Sequence, residues 1–241
     1  MNYELSTIDK QRFNVVTAKA FLENGDDVHL LFNKSKLDDV DFLVVRVSTD
    51  QLKIVQMLEQ KGAFLTDTLI CYFKKKITSY EENLPKGYNM RLATGADSVA
   101  IEGIAFKTFE GYLGHYHSDP NLEKYNCDLV YSSWAASSCN NKNVADAVVL
   151  LEKEREIVAF ATIKIINTTE ISGILFGVLP EHRNKNLYLS LMHLSESWGK
   201  NNDFNQMSVS TQITNIVVQK YWTRLGFEPK SSYYTFHKWF K

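Results

Sequence analysis

The chain has 241 residues, 44% of them hydrophobic, and a formal net charge of −1. That length suits one large domain or a domain with a smaller companion, the apolar fraction is ample for a core, and the near-neutral balance argues against a nucleic-acid surface. Cys71, Cys127 and Cys139 lack metal-ligand spacing and read as free thiols in a reducing cytosol; no apolar run approaches membrane-spanning length and the first residues lack a signal peptide's basic flank, so a cytoplasmic protein is expected.

In chain order, residues 41–47 predict a short apolar strand. Leu52, Val55 and Leu58 share one face of a helix over 50–60 that Gly62 ends, and 69–73 predict a second strand, together a βαβ-like unit. The polar stretch 74–87, with Pro85 and Gly87, reads as a linker. An amphipathic stretch over 96–106 follows. Apolar runs at 147–151, 157–166 and 171–179, separated by polar turns, read as an antiparallel meander. Leu187, Leu191, Leu194 and Trp198 then recur at helical spacing, with Gly199 as the expected closing residue. A half-buried strand over 206–211, a helix over 215–225 stopped by Gly226, and a strand over 233–240 complete a mixed α/β arrangement.

The most informative run is Gly173-Ile-Leu-Phe-Gly-Val-Leu-Pro-Glu-His-Arg-Asn-Lys-Asn-Leu-Tyr188, a buried strand delivered into a helix N-terminus. Such a junction attracts anions, because the first helical N–H groups lack partners and the dipole's positive end points outward. The run resembles the coenzyme A pyrophosphate loop of the GNAT acyltransferase superfamily. It departs at Asn186 and Tyr188, which stand where the pattern has Gly and then Gly or Ala. Asn tolerates positive φ, whereas Tyr must point away from the loop. A second resemblance lies in Asn215, Trp222 and Gly226-Phe227, similar to the superfamily's N-x6-Y-x-x-x-G-F signature. The two together cover about residues 89–241.

The resemblance implies that Phe176, Gly177, Val178, Arg183, Asn184, Lys185, Asn186, Leu187, Tyr188, Asn215 and Trp222 hold acyl-CoA, with the N–H of Gly177 or Val178 as oxyanion donor. The superfamily's usual thiolate acid is a Tyr where this chain has Trp222, which cannot act as an acid; the neighbouring Tyr221 would reach the sulfur only after a local shift, or the thiolate is protonated otherwise. Asn215 is expected to bond the pantetheine or the strand edge, or to cap its helix.

Residues 42–75 resemble the N-terminal half of TDP-fucosamine acetyltransferase and related nucleotide-amino-sugar N-acyltransferases, in which an abbreviated GNAT-like domain precedes the complete one. The implied domains are 1–80 and 88–241. The segment Phe109 to Pro120, with Tyr131 and Trp134 beyond it, resembles the acceptor-side loop of the same enzymes. Tyr112, His115, His117 and Asp119 are accordingly candidate substrate contacts, while Asp119-Pro120 also reads as a plain turn and Trp134 as core. His115 and His117 could share a strand face as a metal pair, but no third ligand is placed, so no metal is expected. His237 is either a base facing the acceptor or a satisfied core histidine.

These resemblances imply an N-acyltransferase moving an acetyl or 3-hydroxybutyryl group from acyl-CoA to a dTDP-linked 3-amino- or 4-amino-dideoxyhexose for surface-glycan synthesis, with no nucleic-acid or membrane partner. A homodimer is the family-level expectation. The alternatives are a GNAT enzyme acting on another amine or a protein, and a non-catalytic acyl-CoA-binding module.

Overall fold

The computed structural model describes residues 1–80 and 84–240. The first segment runs β1 (Asn2–Leu5), α1 (Thr7–Phe13), β2 (Thr17–Leu22), α2 (Val28–Leu37), β3 (Phe42–Ser48), α3 (Leu52–Gln60) and β4 (Phe64–Lys74). Ser6 caps α1 by accepting the Asp9 N–H, and Asp27 caps α2 by accepting the His29 N–H. β2 and β3 pair in parallel, so β2–α2–β3 is a true βαβ unit that the reading from 41 onward did not include. Its signal was weak because Lys19 breaks the apolar run of β2.

The second segment runs β5 (Tyr88–Leu92), α4 (Ser98–Phe109), α5 (Lys124–Ser137), β6 (Ala147–Lys153), β7 (Glu156–Ile165), β8 (Glu170–Val178), α6 (Leu187–Asn201), β9 (Gln206–Gln212), α7 (Ile216–Arg224) and β10 (Glu228–Trp239). All strands join one sheet in the order β1-β2-β3-β10-β4-β9-β8-β7-β6-β5. β6, β7 and β8 form the expected antiparallel meander.

Two strands cross between the segments. β10 inserts between β3 and β4, antiparallel to both, and β4 lies against β9. The segments therefore interleave within one sheet, and the division near residue 80 is not a sheet boundary. β4 is also longer than the expected strand at 69–73, because Thr66, Asp67 and Thr68 interrupt the apolar pattern, yet Asp67 and Thr68 continue the pairing with β10 and Leu65 resumes it past an irregularity at Thr66.

The expected linker is partly structured. β4 extends through Lys74, whose Nζ lies 2.7 Å from the buried Glu196 carboxylate of α6. The Tyr80 N–H donates to Ser197 Oγ, and the Tyr80 ring stacks on His193 at 3.9 Å. Residues 81–83 of that stretch lie outside the described residues.

In α6, Leu187, Leu191 and Leu194 are buried as the spacing predicts. Gly199 does not close the helix, which continues to Asn201. A Cβ there would lie 2.6 Å from Ile171 Cδ1 and 2.9 Å from Ile77 Cδ1, so glycine allows the helix to approach β8. The main core packs around β5–β9, a second lies around β2 and β3, and a third joins Phe42 and Val44 of β3 to Tyr116, Leu122, Cys127 and Val130. That third cluster seats residues 116–130 against the first segment. It forms the wall of a cleft described below.

Arg91 fixes the approach to α4. Its guanidinium donates to both Asp97 oxygens at 2.8 and 2.7 Å and to Glu152 at 2.7 Å, while Asp97 also accepts the Thr94 N–H. These donors hold the Asp97 carboxyl well below the usual carboxylate range. Because the folded value is depressed, the stabilisation is present above the unfolded value near about 4 and is lost as pH falls through the lower folded one. Urea midpoints are expected to drop less between pH 7 and pH 2 in Asp97→Asn than in the parent; equal drops would remove Asp97 from the acid limb.

Candidate active site

β8 and β9 pair only from Glu170 opposite Gln206 to Gly173 opposite Val209. Beyond Gly173 they diverge, while β8 stays bonded to β7 as far as Val178. The Leu175 N–H donates to Thr162 Oγ1 and the Leu179 N–H to the Val158 carbonyl, so both point towards β7. Alternation along a strand then turns the Phe176 and Val178 N–H groups into the opening between β8 and β9. Of the two expected oxyanion donors, Val178 faces the opening. Gly177 instead brings β8 close to β7, since a Cβ on it would lie 2.4 Å from Phe160 Cε1.

At the end of β8 a short 3₁₀ turn, Pro180–His182, leads into the loop before α6. Asn184 and Asn186 both adopt left-handed backbone, with φ of 61° and 60°, as the tolerance of Asn186 for positive φ led one to expect. Asn186 occupies the N-cap without a side-chain cap bond. Among the described residues the N–H groups of 184–188 donate to no protein acceptor. A run of free N–H groups at a helix N-terminus is suited to a pyrophosphate.

Three expected cofactor contacts have side chains that are otherwise engaged. Arg183 Nη2 donates to the Thr108 carbonyl at the end of α4, and Leu187 buries its side chain in the core and offers only its N–H. Lys185 donates to the Glu181 carbonyl from the exposed side of the loop.

Tyr188 turns away from the loop, as its bulk requires, and packs beside Phe176 and Tyr221 at 5.7 and 5.6 Å. Trp222 is buried against Tyr72, and its Nε1–H donates to the Tyr188 hydroxyl at 2.9 Å. Tyr188's own O–H has no acceptor among the described residues, and burial pushes its pKa up. Tyr188 thus brings to the slot the phenol that position 222 lacks, whereas the Tyr221 hydroxyl makes no hydrogen bond among the described residues. Asn215 Nδ2 donates to Thr211 Oγ1 on the β9 edge and does not cap α7 through its side chain. The Tyr112 hydroxyl lies against Thr211 and Asn215.

Tyr112 packs edge-on to Tyr131 at 5.2 Å, and Tyr131 also lines a cleft of about 890 Å³ between the first segment and α5. Arg12, Lys19, Arg46, His115 and Trp134 share its lining. Lys19 and Arg12 are ion-paired with the buried Asp9, at 2.6 and 3.2 Å. Arg46 makes no hydrogen bond or ion pair among the described residues. It lies in register with Thr235 of β10 and Asp67 of β4, and burial raises the Asp67 carboxyl while Arg46 opposes that shift. Trp134 is partly exposed on this lining rather than part of the core.

The histidines lie in the loop between α4 and α5, not on a strand. His117 accepts the Gly114 N–H at Nδ1 and donates from Nε2 to Asp128 of α5, so both nitrogens are engaged, and it is absent from the cleft lining. His115 Nδ1 lies 2.8 Å from His237 Nε2, and His237 Nδ1 lies 2.7 Å from Asp119 Oδ2, which also accepts the Trp239 Nε1–H. His237 and Asp119 are buried, at 0% and 2% exposure. Neither touches the cleft, and His115 is the member of the set that does. Sequence reasoning missed Arg46 and Asp67, although Arg46 is a lone charge in an otherwise apolar strand.

Among the described residues no cluster of three or more metal-ligating side chains occurs and no helix is long and apolar enough to cross a membrane. The three cysteines are free.

Residues 112–227 match the acetyltransferase (GNAT) family. The chain is 22% identical over 206 residues to the spore coat polysaccharide biosynthesis protein SpsD of Bacillus subtilis (strain 168), covering 85% of this chain and 68% of that protein. In fold it is similar to a GCN5-related N-acetyltransferase from Sphaerobacter thermophilus, with a TM-score of 0.65, 11% identity, and 98% of this chain and 76% of that one covered. It is likewise similar to a tandem GNAT protein from the clavulanic acid biosynthesis pathway, with a TM-score of 0.61, 10% identity, and 92% and 75% covered. With the diverging strands and the open N–H groups before α6, the family match identifies residues 112–227 as a GNAT acetyltransferase domain, whose chemistry is acyl-CoA-dependent N-acyl transfer, and the two solved structures share the fold.

Proposed function

We propose that this N-acyltransferase acylates the amino group of a dTDP-linked 3-amino- or 4-amino-dideoxyhexose, from acetyl-CoA or 3-hydroxybutyryl-CoA, in surface-glycan synthesis. The observation that carries the reading is the aromatic cleft that ends at Tyr131, in which Asp9 holds Arg12 and Lys19 while Glu4, Glu102 and Arg46 also reach the lining. Its volume lies within the range of about 300–1,000 Å³ usual for small-molecule sites. Arg46, which makes no hydrogen bond or ion pair among the described residues, is placed to meet a diphosphate bidentately, and Trp134 or Tyr131 to stack on a base. SpsD, a polysaccharide biosynthesis protein by name, supports a sugar acceptor. For residues 1–80 we propose an abbreviated GNAT-like unit that supplies one wall of the acceptor site, through Lys19 and Arg46.

In this mechanism the N–H groups of 184–188 bind the pyrophosphate of acyl-CoA, the co-substrate whose sulfur carries the acyl group as a thioester. The Val178 N–H stabilises the oxygen that gains charge as the amine attacks the carbonyl. The Tyr188 hydroxyl, held by Trp222, donates its hydrogen bond to the departing sulfur.

The test crosses acetyl-CoA and 3-hydroxybutyryl-CoA against dTDP-3-amino- and dTDP-4-amino-dideoxyhexoses, following thiol release and product mass. Turnover with one pair is expected. Arg46→Ala should then raise KM for the nucleotide sugar by roughly 10- to 100-fold, as loss of a charged hydrogen-bond pair implies, with kcat little changed. Acylation of simple amines but of no dTDP-sugar would overturn the acceptor assignment.

A further inference from the structure

We infer that His115 is the general base that deprotonates the acceptor amine, with His237 and Asp119 as buried residues that set its tautomer and orientation. Of the reading above, this rests only on acyl transfer to a primary amine.

The hydrogen-bond sequence fixes the direction of each proton. The Asp119 carboxylate can only accept, so His237 carries its proton on Nδ1 and presents a bare Nε2. His115 must then donate from Nδ1, which leaves its Nε2 lone pair without a protein partner among the described residues, on a ring that lines the cleft. Trp239 donates to the same Asp119 oxygen, and Asn121 donates its backbone and side-chain N–H groups to the other. That saturation holds Asp119 ionised and stationary. The Phe42 ring meets His237 edge-on at 4.7 Å, and Tyr116 lies 3.9 Å from His115 between ring centres. Both imidazoles are therefore clamped by packing as well as by hydrogen bonds.

The surrounding charges keep the free ring neutral, though they weaken it as a base. Burial, His237, Arg46 of β3, Lys19 of β2 and His117 of the same loop all push the His115 pKa down, so the ring rests neutral and ready to accept. Burial lowers the His237 pKa as well, and Asp119 and Asp9 only partly offset it. An anionic acceptor that neutralises Arg46 would strengthen His115 as a base only once bound. In the reaction, His115 Nε2 takes a proton from the amine as its nitrogen bonds to the thioester carbon. The carbon–sulfur bond then breaks to give a thiolate that the Tyr188 hydroxyl hydrogen-bonds, and the imidazolium proton reaches that sulfur by way of water. The products are the amide and free thiol, and the ring is again neutral.

The test measures thiol release as a function of pH with the best dTDP-amino sugar and, in parallel, with glucosamine at high concentration as a plain primary amine. His115→Asn is expected to lower kcat about 100-fold at pH 7, with KM within about threefold. Its rate should climb about tenfold per pH unit toward the amine's own pKa near about 8, while the parent profile is flatter. His115→Gln should behave alike, and both variants should keep the parent's melting temperature within a few degrees. Asp119→Asn should lose about tenfold in kcat and displace the acid limb of the profile, an effect that packing alone would not produce. A His115 variant with parental pH dependence and only a raised KM would make it a binding residue and overturn the proposal. Turnover of glucosamine but of no nucleotide sugar would sink the acceptor assignment alone, and the glucosamine profiles would still decide the base.

Discussion

Replacing Gly177 by alanine is expected to lower kcat by about 100-fold or more while coenzyme A binding changes little. The new methyl would stand 2.4 Å from Phe160 Cε1 and 2.9 Å from Cζ, closer than real Cβ atoms come. Phe160 is fully buried in the main core and is the cross-strand partner of Gly177, so its ring has nowhere to go. The relief available is for β8 to move away from β7, towards the opening that the Val178 N–H faces. Overpacking of this kind costs typically 1–3 kcal/mol, which a thermal melt would register without loss of the fold. The decisive comparison is Gly177→Ala with Phe160→Leu, in which a smaller partner makes room for the methyl. Recovery of kcat in the double variant is expected, and a Gly177→Ala enzyme with parental kcat would remove the Val178 N–H from the oxyanion role.

What was legible in the sequence follows from how local each signal is. The meander was readable because its runs are apolar and its turns polar, and α6 because Leu187, Leu191 and Leu194 repeat at helical spacing. The left-handed Asn186 was readable from one residue's conformational tolerance. The interleaving of β4 and β10 was not, because it depends on which distant edges meet; both strands are half polar and show no local preference for a partner. The relay was harder still. Asp119 and His237 are separated by 118 positions, and His237 carries the same residue code whether it is an idle core histidine or the middle of a chain of proton donors. Of the two loop histidines the sequence favoured His117, with Tyr112, for acceptor contact, yet the loop sends His117 to Asp128 and His115 to His237 and the cleft. Gly199 shows the converse error: helix-closing chemistry and close packing both call for glycine, and only the neighbours Ile77 and Ile171 tell them apart.

Removing the Tyr188 hydroxyl is expected to separate a catalytic phenol from a packing one. Tyr188→Phe keeps the ring beside Phe176 and Tyr221 but takes away the O–H, and kcat should fall by about 100-fold if that group assists the departing sulfur. Trp222→Phe retains an aromatic ring against Tyr72 and removes only the Nε1–H that orients the hydroxyl; a net hydrogen bond of about 1 kcal/mol implies a smaller loss of roughly fivefold. Because the indole acts through the phenol, the double variant should be no slower than Tyr188→Phe alone, a coupling that a mutant cycle measures directly. Trp222→Ala serves as the stability control: emptying a site only 2% exposed should cost about 3–5 kcal/mol and lower the melting temperature sharply. Tyr221→Phe, at the neighbouring position in α7, is expected to stay within about twofold of the parent, far below the effect of losing a general acid. If Tyr221→Phe is the slow variant and Tyr188→Phe is not, the thiolate is met from α7, and the phenol held by Trp222 is part of the slot's wall.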